Sequence, residues 1–225
     1  RQHRPPKFRI RRERYPQEGM LLQIDGSWHD WLEGRGPWLS LIGAIDDATG
    51  TVPAALFRDR EDAHGYLLLL QEIIKGKGIP IALYSDKHSI FTVNRKRPQT
   101  LDEQLQGSYE PTQFGRALQE LGIQSILADS PQAKGRIERG WGTFQDRLVS
   151  ELRIEQARTI DEANAVLRRF LPRFNARFAV PPAQPGSAYR PVPPGVRAQD
   201  VLCFKYVRVV AADNTLRFGD NVLQL

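Results

Sequence analysis

This chain of 225 residues has one cysteine, four histidines and no long apolar run. The single Cys203 cannot form an intrachain disulfide or build a cysteine zinc site, which is typical of a reducing intracellular compartment. No apolar run approaches the ~18 residues that a membrane-spanning helix needs. Because the chain starts at Arg1 and lacks a signal-peptide pattern, we expect a fragment of a longer cytoplasmic protein. These absences exclude a disulfide scaffold, a cysteine zinc site and a membrane protein.

The net charge of +6 is concentrated at one end of the chain. Residues 1–14 carry seven Arg or Lys and one Glu, which leaves equal numbers of basic and acidic residues elsewhere. This stretch includes Arg9, Arg11 and Arg12 and has no hydrophobic period, so it predicts an extended arm that neutralises DNA phosphates. A solvated linker explains the same charge run, and the sequence leaves both interpretations open.

Apolar spacing along the chain predicts an α/β domain with a mixed sheet. Three strands come first and pair as an antiparallel meander, and later strands alternate with helices, which implies parallel pairing through right-handed crossovers. The predicted strands are residues 21–28, 38–46, 51–57, 79–84 and 123–127, and the predicted helices are residues 62–75, 114–121, 131–152 and 160–174.

One main domain accounts for most of the length. We expect residues 1–19 to form the basic arm and residues 20–178 the domain itself. Within the domain, residues 94–110 are polar, lack clear periodicity and include a basic cluster, so they are interpreted as an insertion that contacts DNA or a neighbouring protomer.

The carboxy-terminal part differs in composition from the main domain. Residues 179–197 are rich in proline and predict a linker. Residues 198–225 predict the start of a small β domain, with a hairpin between 201–210 and 216–225 that turns at Asp213-Asn214.

Three carboxylates stand out by their surroundings. Asp25 lies in an apolar run, Asp86 ends another, and Glu138 follows a motif described below. An ionised Asp in a hydrophobic strand is costly to bury, so both aspartates need a partner for their charge. Because the donors are oxygens, without a Cys or His cluster, Mg²⁺ or Mn²⁺ is a better partner than Zn²⁺. The pattern predicts a metal site for phosphoryl transfer on nucleic acid.

The order of strands, helices and carboxylates resembles the ribonuclease-H-like catalytic core of DDE transposases and retroviral integrases, over roughly residues 20–175. The most specific match follows the insertion-sequence pattern Pro-Gln-X-X-Gly-X-X-Glu, with Pro131-Gln132, Gly135 and Glu138 in those positions. One departure is the spacing, because Asp86 and Glu138 are 52 positions apart, longer than is typical of these cores. The excess falls in the insertion.

This resemblance implies a mixed five-stranded sheet of three antiparallel and two parallel strands, flanked by helices. It implies that Asp25, Asp86 and Glu138 are catalytic and hold two Mg²⁺ or Mn²⁺ ions. It also implies cleavage and transfer of DNA strands, at transposon ends and target, by a homo-oligomer that acts at the prokaryotic nucleoid. The basic residues expected to contact DNA are Lys134, Arg136, Arg139, Arg95, Lys96, Arg97, Arg9, Arg11 and Arg12.

Other interpretations stay open at this point. A nuclease of the same fold would hydrolyse DNA without joining it, and a domesticated DNA-binding protein would keep the fold without activity. Asp46 and Asp47 form a competing acidic pair, but turn chemistry explains at least one of them, and both are placed outside the site. His88 lies near Ser85, but no nucleophile-elbow pattern accompanies them, so His88 is interpreted as a neighbour of Asp86.

Aromatic residues near the predicted site have two interpretations. Trp141 lies one helical turn after Glu138 and could stack on an unpaired base, although burial is the more common outcome for such a residue. Trp28 and Trp31 are expected to be core or interface residues.

Overall fold

The structure is a computed structural model that describes residues 13–93, 98–128 and 135–225. In chain order, the strands are β1 Leu21–His29, β2 Leu39–Asp46, β3 Ala54–Arg58, β4 Ala82–Ser85, β5 Gln124–Leu127, β6 Thr215–Phe218 and β7 Asn221–Gln224. The helices are α1 Ala63–Gly76, α2 Leu101–Gln106, α3 Gln113–Glu120, α4 Gly135–Ile154, α5 Ile160–Phe178 and α6 Ala198–Val201.

The central sheet has the strand order β3-β2-β1-β4-β5. The first three strands pair antiparallel, whereas β1 pairs parallel with β4 and β4 with β5. This confirms the predicted mixed sheet. Because β3 runs in the same direction as β1, the carboxyl ends of β1, β3, β4 and β5 all lie at one edge of the sheet.

Helices cover both faces of the sheet. Leu22 and Ile24 of β1 belong to a buried cluster with α1 and α3, whereas a second cluster joins β2 and β3 to α4 and α5. Side chains alternate between faces along a strand, so Gln23 and Ser27 of β1 lie on the α4 side. Hydrogen bonds to α4 confirm this placement, since Ile137 N donates to Gln23 and Gln145 to Ser27.

The sequence analysis missed the short helices α2 and α6, and α2 lies within the predicted insertion. Thr100 and Glu103 form a capping box around its first turn, and Glu103 also accepts a hydrogen bond from Glu110 N at 2.8 Å. The Thr-X-X-Glu spacing signals such a cap, but the helix is too short to show an apolar period.

The carboxy-terminal hairpin is present, but the predicted position of its turn is wrong. β6 and β7 are joined by Gly219-Asp220, and Asn214 lies in the turn before β6. The predicted first strand, residues 201–210, begins at the end of α6 and is otherwise irregular. Two turn signals compete here, and Gly219, at φ 59, adopts the left-handed conformation that a two-residue hairpin loop requires.

Segments on both sides of the domain lie against it. Arg14 donates to the carbonyls of Asp47 and Ala48. The Pro-rich segment predicted as a linker contacts the core as well, since Arg190 exchanges backbone hydrogen bonds with Ile79. Among the described residues, no helix has the length and apolar character needed to cross a membrane.

Candidate active site

Asp25 and Asp86 lie just past the point where two neighbouring parallel strands stop pairing. The last residues that β1 and β4 pair are Gln23 and Tyr84, and Asp25, in the middle of β1, and Asp86, directly after β4, each follow two residues later. Adjacent strands lie ~4.8 Å apart, so this register brings the two carboxylates together. Both residues are half-buried, and Asp86 accepts a hydrogen bond from His88 N at 2.9 Å.

The first turn of α4 is fixed above β1 by a buried hydrogen-bond chain. Ile137 N donates to the side-chain oxygen of Gln23 at 3.3 Å, and the Gln23 amide donates to Asp47 at 2.8 Å. Gln23 is buried and lies two residues before Asp25. The backbone of Glu138, which directly follows Ile137, is therefore held over the strand that carries Asp25.

Several residues predicted for the site lie outside what the structure describes. The backbones of Arg136, Glu138 and Arg139 belong to α4, but their side chains are not among the described ones. The residues wholly outside the described ranges are Lys134, Arg95, Lys96, Arg97, Arg9, Arg11 and Arg12. Among the described side chains, which omit Glu138, no group of three or more His, Cys, Asp or Glu is arranged to hold a metal ion.

A fourth carboxylate at this edge, Glu61, was missed by the sequence analysis. Its Oε1 accepts a hydrogen bond from the buried Tyr66 hydroxyl at 2.5 Å. Its other oxygen lies so close to Gly26 that a β-carbon there would collide with it. Glu61 lies three residues after β3, which runs parallel to β1 with β2 between them, so the strand directions place it at the same edge of the sheet as the end of β1.

The pKa of Tyr66 responds to the acidic groups at this edge. Burial raises the pKa of Tyr66 well above its ordinary value, and the charges of Glu61, Asp25 and Asp86 raise it further. The phenol is therefore protonated at neutral pH and acts as the donor to Glu61. Tyr66 packs edge-on against Phe91 and Phe114, so its hydroxyl is held in place. The result is a concentration of negative charge at one sheet edge, which favours divalent cations.

The competing acidic pair is structural. Asp46 accepts hydrogen bonds from Thr49 N and Gly19 N, as expected for turn chemistry, whereas Asp47 accepts from Tyr15 N and Gln23. Both are fully buried. Burial raises the pKa of Asp46, and the hydrogen bonds from Gly19 and Thr49 oppose that shift.

The aromatic and histidine alternatives are resolved by burial and hydrogen bonding. Trp141 is buried against Gly43 of β2 and Trp31 is fully buried, but Trp28 is 56% exposed. Trp141 therefore belongs to the core. The imidazole Nδ1 of His88 accepts from Ile90 N in its own turn, whereas the backbone N–H of His88 donates to Asp86.

Two curated relatives of the chain are named as transposases. The chain is 45% identical over 217 residues to y4bF of Sinorhizobium fredii, which is named as a transposase; the match covers 96% of the chain and 45% of that protein. It is 37% identical over 174 residues to the transposase for insertion sequence IS1202 of Streptococcus pneumoniae, covering 77% of the chain and 36% of that protein. The chain thus spans less than half the length of these curated relatives. No protein family model matches it.

Among solved structures, a chain of the simian T-cell lymphotropic virus intasome, in complex with PP2A regulatory subunit B56 gamma, is similar with a TM-score of 0.54. The two chains are 20% identical, and the match covers 73% of this chain and 51% of that chain. At 20% identity, this structural similarity shows a shared fold and nothing more.

Proposed function

Because this chain belongs to the superfamily of DDE transposases and retroviral integrases, we propose that it is the catalytic core of a DNA transposase that cuts and joins DNA strands. The observation that carries the proposal is the β1–β4 register, since Asp25 and Asp86 each follow two residues after its last pair, Gln23 and Tyr84. Glu138, on the helix held over β1, completes the proposed set of three carboxylates.

The donors at this edge suit hard divalent cations. Asp25, Asp86 and Glu138 offer only oxygen, which fits Mg²⁺ or Mn²⁺, and the nearby charge of Glu61 adds to the attraction. By resemblance, Asp25, Asp86 and Glu138 would hold the ions. When bound, such ions supply Lewis-acid charge at the scissile phosphate.

In the proposed reaction, a water oxygen attacks the phosphorus, and the 3′ oxygen leaves and takes up a proton. In joining, that 3′-hydroxyl attacks a target phosphate, and a target-strand oxygen leaves in turn. The contribution of the chain is to hold and orient the carboxylates. Strand pairing sets the separation of Asp25 and Asp86, Gln23 fixes the helix that carries Glu138, and Tyr66 holds Glu61. No covalent protein–DNA intermediate is needed.

The proposed partners are transposon ends and target DNA, and the proposed place of action is the bacterial nucleoid. Two DNA ends must meet for joining, so we propose a homo-oligomer on DNA. We propose that the basic residues of the motif around Glu138, the insertion and the arm contact the DNA backbone.

A strand-transfer assay tests the proposal. Full-length protein is incubated with terminal-repeat DNA and Mg²⁺, and the products are separated by size. Both cut and joined products are expected. Cut products alone would instead identify a nuclease, and binding without either product would identify an inactive DNA-binding protein.

Replacing Glu61 with Gln should raise the Mg²⁺ concentration for half-maximal cleavage by roughly five-fold, equivalent to about 1 kcal/mol for a partly exposed charge. The variant keeps an acceptor for Tyr66 but removes a negative charge beside Asp25. Glu72→Gln, at an exposed position on α1, is the matched control and should leave the midpoint unchanged. An unaltered midpoint in Glu61→Gln would mean that this charge does not act on the metal site.

Removing residues 1–12 should weaken DNA binding equally for terminal-repeat and random duplexes. These residues carry six Arg or Lys without a helical period, so we expect phosphate contacts rather than base reading. The truncation stops before Arg14, which is bonded to the core. In binding measurements across salt concentrations, the log K against log salt slope should flatten by about 0.9 for each phosphate that the arm neutralises in the intact chain. An unchanged slope would mean that the arm is a linker that contacts no phosphates. Weaker binding of terminal-repeat DNA alone would indicate that the arm reads sequence.

A further inference from the structure

Two tryptophans form an exposed aromatic pair at the end of β1. Trp28 lies in β1 and Trp38 directly precedes β2; their ring centroids are 6.0 Å apart and their planes are tilted by 38°. They are 56% and 52% exposed. Tryptophan is highly buried on average, so two half-exposed rings in contact require an explanation.

The loop between the two tryptophans is anchored to the core. Trp31, between them in sequence, is fully buried, packs edge-on against Phe57 and donates its indole N–H to Ser27 O at 3.1 Å. Glu33 in the same loop forms an ion pair with Arg153 of α4, and hydrogen bonds from Arg153 and Arg35 lower the pKa of Glu33 to about 2. The two tryptophans therefore lie at either end of an anchored loop.

The aromatic pair lies on the sheet face that carries Glu61. Trp28 is three residues after Asp25 on β1, a separation of about 10 Å along the strand at ~3.3 Å per residue. Because side chains alternate along a strand, Asp25 lies on the α4 face with Gln23 and Ser27, whereas Trp28 shares the opposite face with Gly26, against which Glu61 lies. The aromatic surface is therefore close to Asp25 along β1 but on the Glu61 side of the sheet.

The exposed area of the two rings distinguishes between a protein and a nucleobase as the partner. Two half-exposed rings offer together about the area of one whole aromatic side chain, ~150–250 Å². A stable protein interface buries ~800 Å² per partner, and the flanking residues Ser27, His29 and Ser40 add no large apolar side chain. A nucleobase, by contrast, matches a flat aromatic surface of this size.

We propose that Trp28 and Trp38 form a stacking surface for an unpaired nucleobase of the bound DNA, on the Glu61 side of the sheet. This inference rests on the proposed function, since it takes the DNA held at Asp25 and Asp86 as the partner. Every base has a flat aromatic face, so the surface accepts any base and favours single-stranded or frayed nucleotides over intact duplex.

The test measures binding without catalysis. The full chain is titrated with random-sequence DNA, either blunt or with a short 3′ overhang containing 2-aminopurine, in EDTA so that no metal-dependent cleavage occurs. For Trp28→Leu and Trp38→Leu, affinity for the overhang DNA should fall about 5- to 150-fold, the equivalent of ~1–3 kcal/mol per stacked base. The quenching of 2-aminopurine should be lost, and affinity for blunt DNA should not change.

Two controls accompany these variants. Trp28→Tyr keeps an aromatic ring and should retain most of the quenching, which separates stacking from loop folding if the leucine variants lower the thermal midpoint. Tyr206→Ala removes an aromatic of similar exposure, 52%, from the segment before the carboxy-terminal hairpin and should change nothing.

Three results would overturn the inference. They are unchanged overhang binding in the leucine variants, equal weakening for blunt and overhang DNA, and a dimer in sedimentation that the variants dissociate. A wild-type chain that quenches 2-aminopurine but makes no cut or joined products in Mg²⁺ would keep this inference and reject the proposed strand-transfer activity, so the two fail separately.

Discussion

Asp25→Asn, Asp86→Asn and Glu138→Gln should each abolish DNA cleavage and joining while leaving DNA binding largely intact. Each change removes the charge of a proposed metal ligand without altering its shape. We expect losses on the order of 10²–10³-fold or more, as when a group that stabilises a transition state is removed. The measurement is single-turnover cleavage and joining of terminal-repeat DNA, with binding followed separately.

The control and the metal dependence make this prediction specific. Asp146→Asn changes an exposed carboxylate on α4, the helix that carries Glu138, and should behave as wild type. Excess EDTA should stop the wild-type reaction, and Mn²⁺ should restore it. Turnover near the wild-type rate in any of the three variants would remove that residue from the site, and cleavage that persists in EDTA would reject the metal mechanism.

Phe144→Ala should cause a larger loss of stability than any of the substitutions proposed above. Phe144 is fully buried in α4 and packs against the rings of Trp141, Phe170 and Phe174, at centroid distances of 5.4, 5.4 and 4.6 Å. Truncating a buried Phe costs about 3–5 kcal/mol. At ~2–4 °C per kcal/mol for a chain of this size, the thermal midpoint should fall by roughly 6–20 °C.

Phe218→Ala serves as the control for Phe144→Ala, since Phe218 is 44% exposed in the hairpin, and it should shift the midpoint far less. Because the Phe144 cluster joins α4 to α5, we expect Phe144→Ala also to loosen the helix that carries Glu138. A midpoint within ~2 °C of wild type would show that α4 does not depend on this packing.

Local sequence patterns predicted most of the core elements to within a few residues. The apolar run before Asp25 and the helical spacing after Asp62 each appear where they were predicted, as β1 and α1. The errors share a cause. The helix α2 is too short for a period, and the hairpin turn was a choice between two similar turn signals. A short stretch of sequence holds too few residues to separate such alternatives.

The surroundings of the candidate site depend on strand pairings between distant segments, which a short stretch of sequence does not encode. Sequence context identified Asp25 and Asp86 as candidates because an Asp in an apolar strand is unusual. Their facing positions result from the β1–β4 register, between segments about 60 residues apart. Glu61 was invisible to motif reasoning because its significance comes from the shared direction of β1 and β3.

Periodicity, turn residues and charge therefore specify the class, order and polarity of the elements, because each acts over a few neighbouring residues. The partners of Gln23, the approach of Glu61 to Gly26 and the exposure of Trp28 beside the buried Trp31 are set by packing. A side chain becomes buried, bonded or exposed according to which distant segment lies against it, and that is a property of the folded chain as a whole.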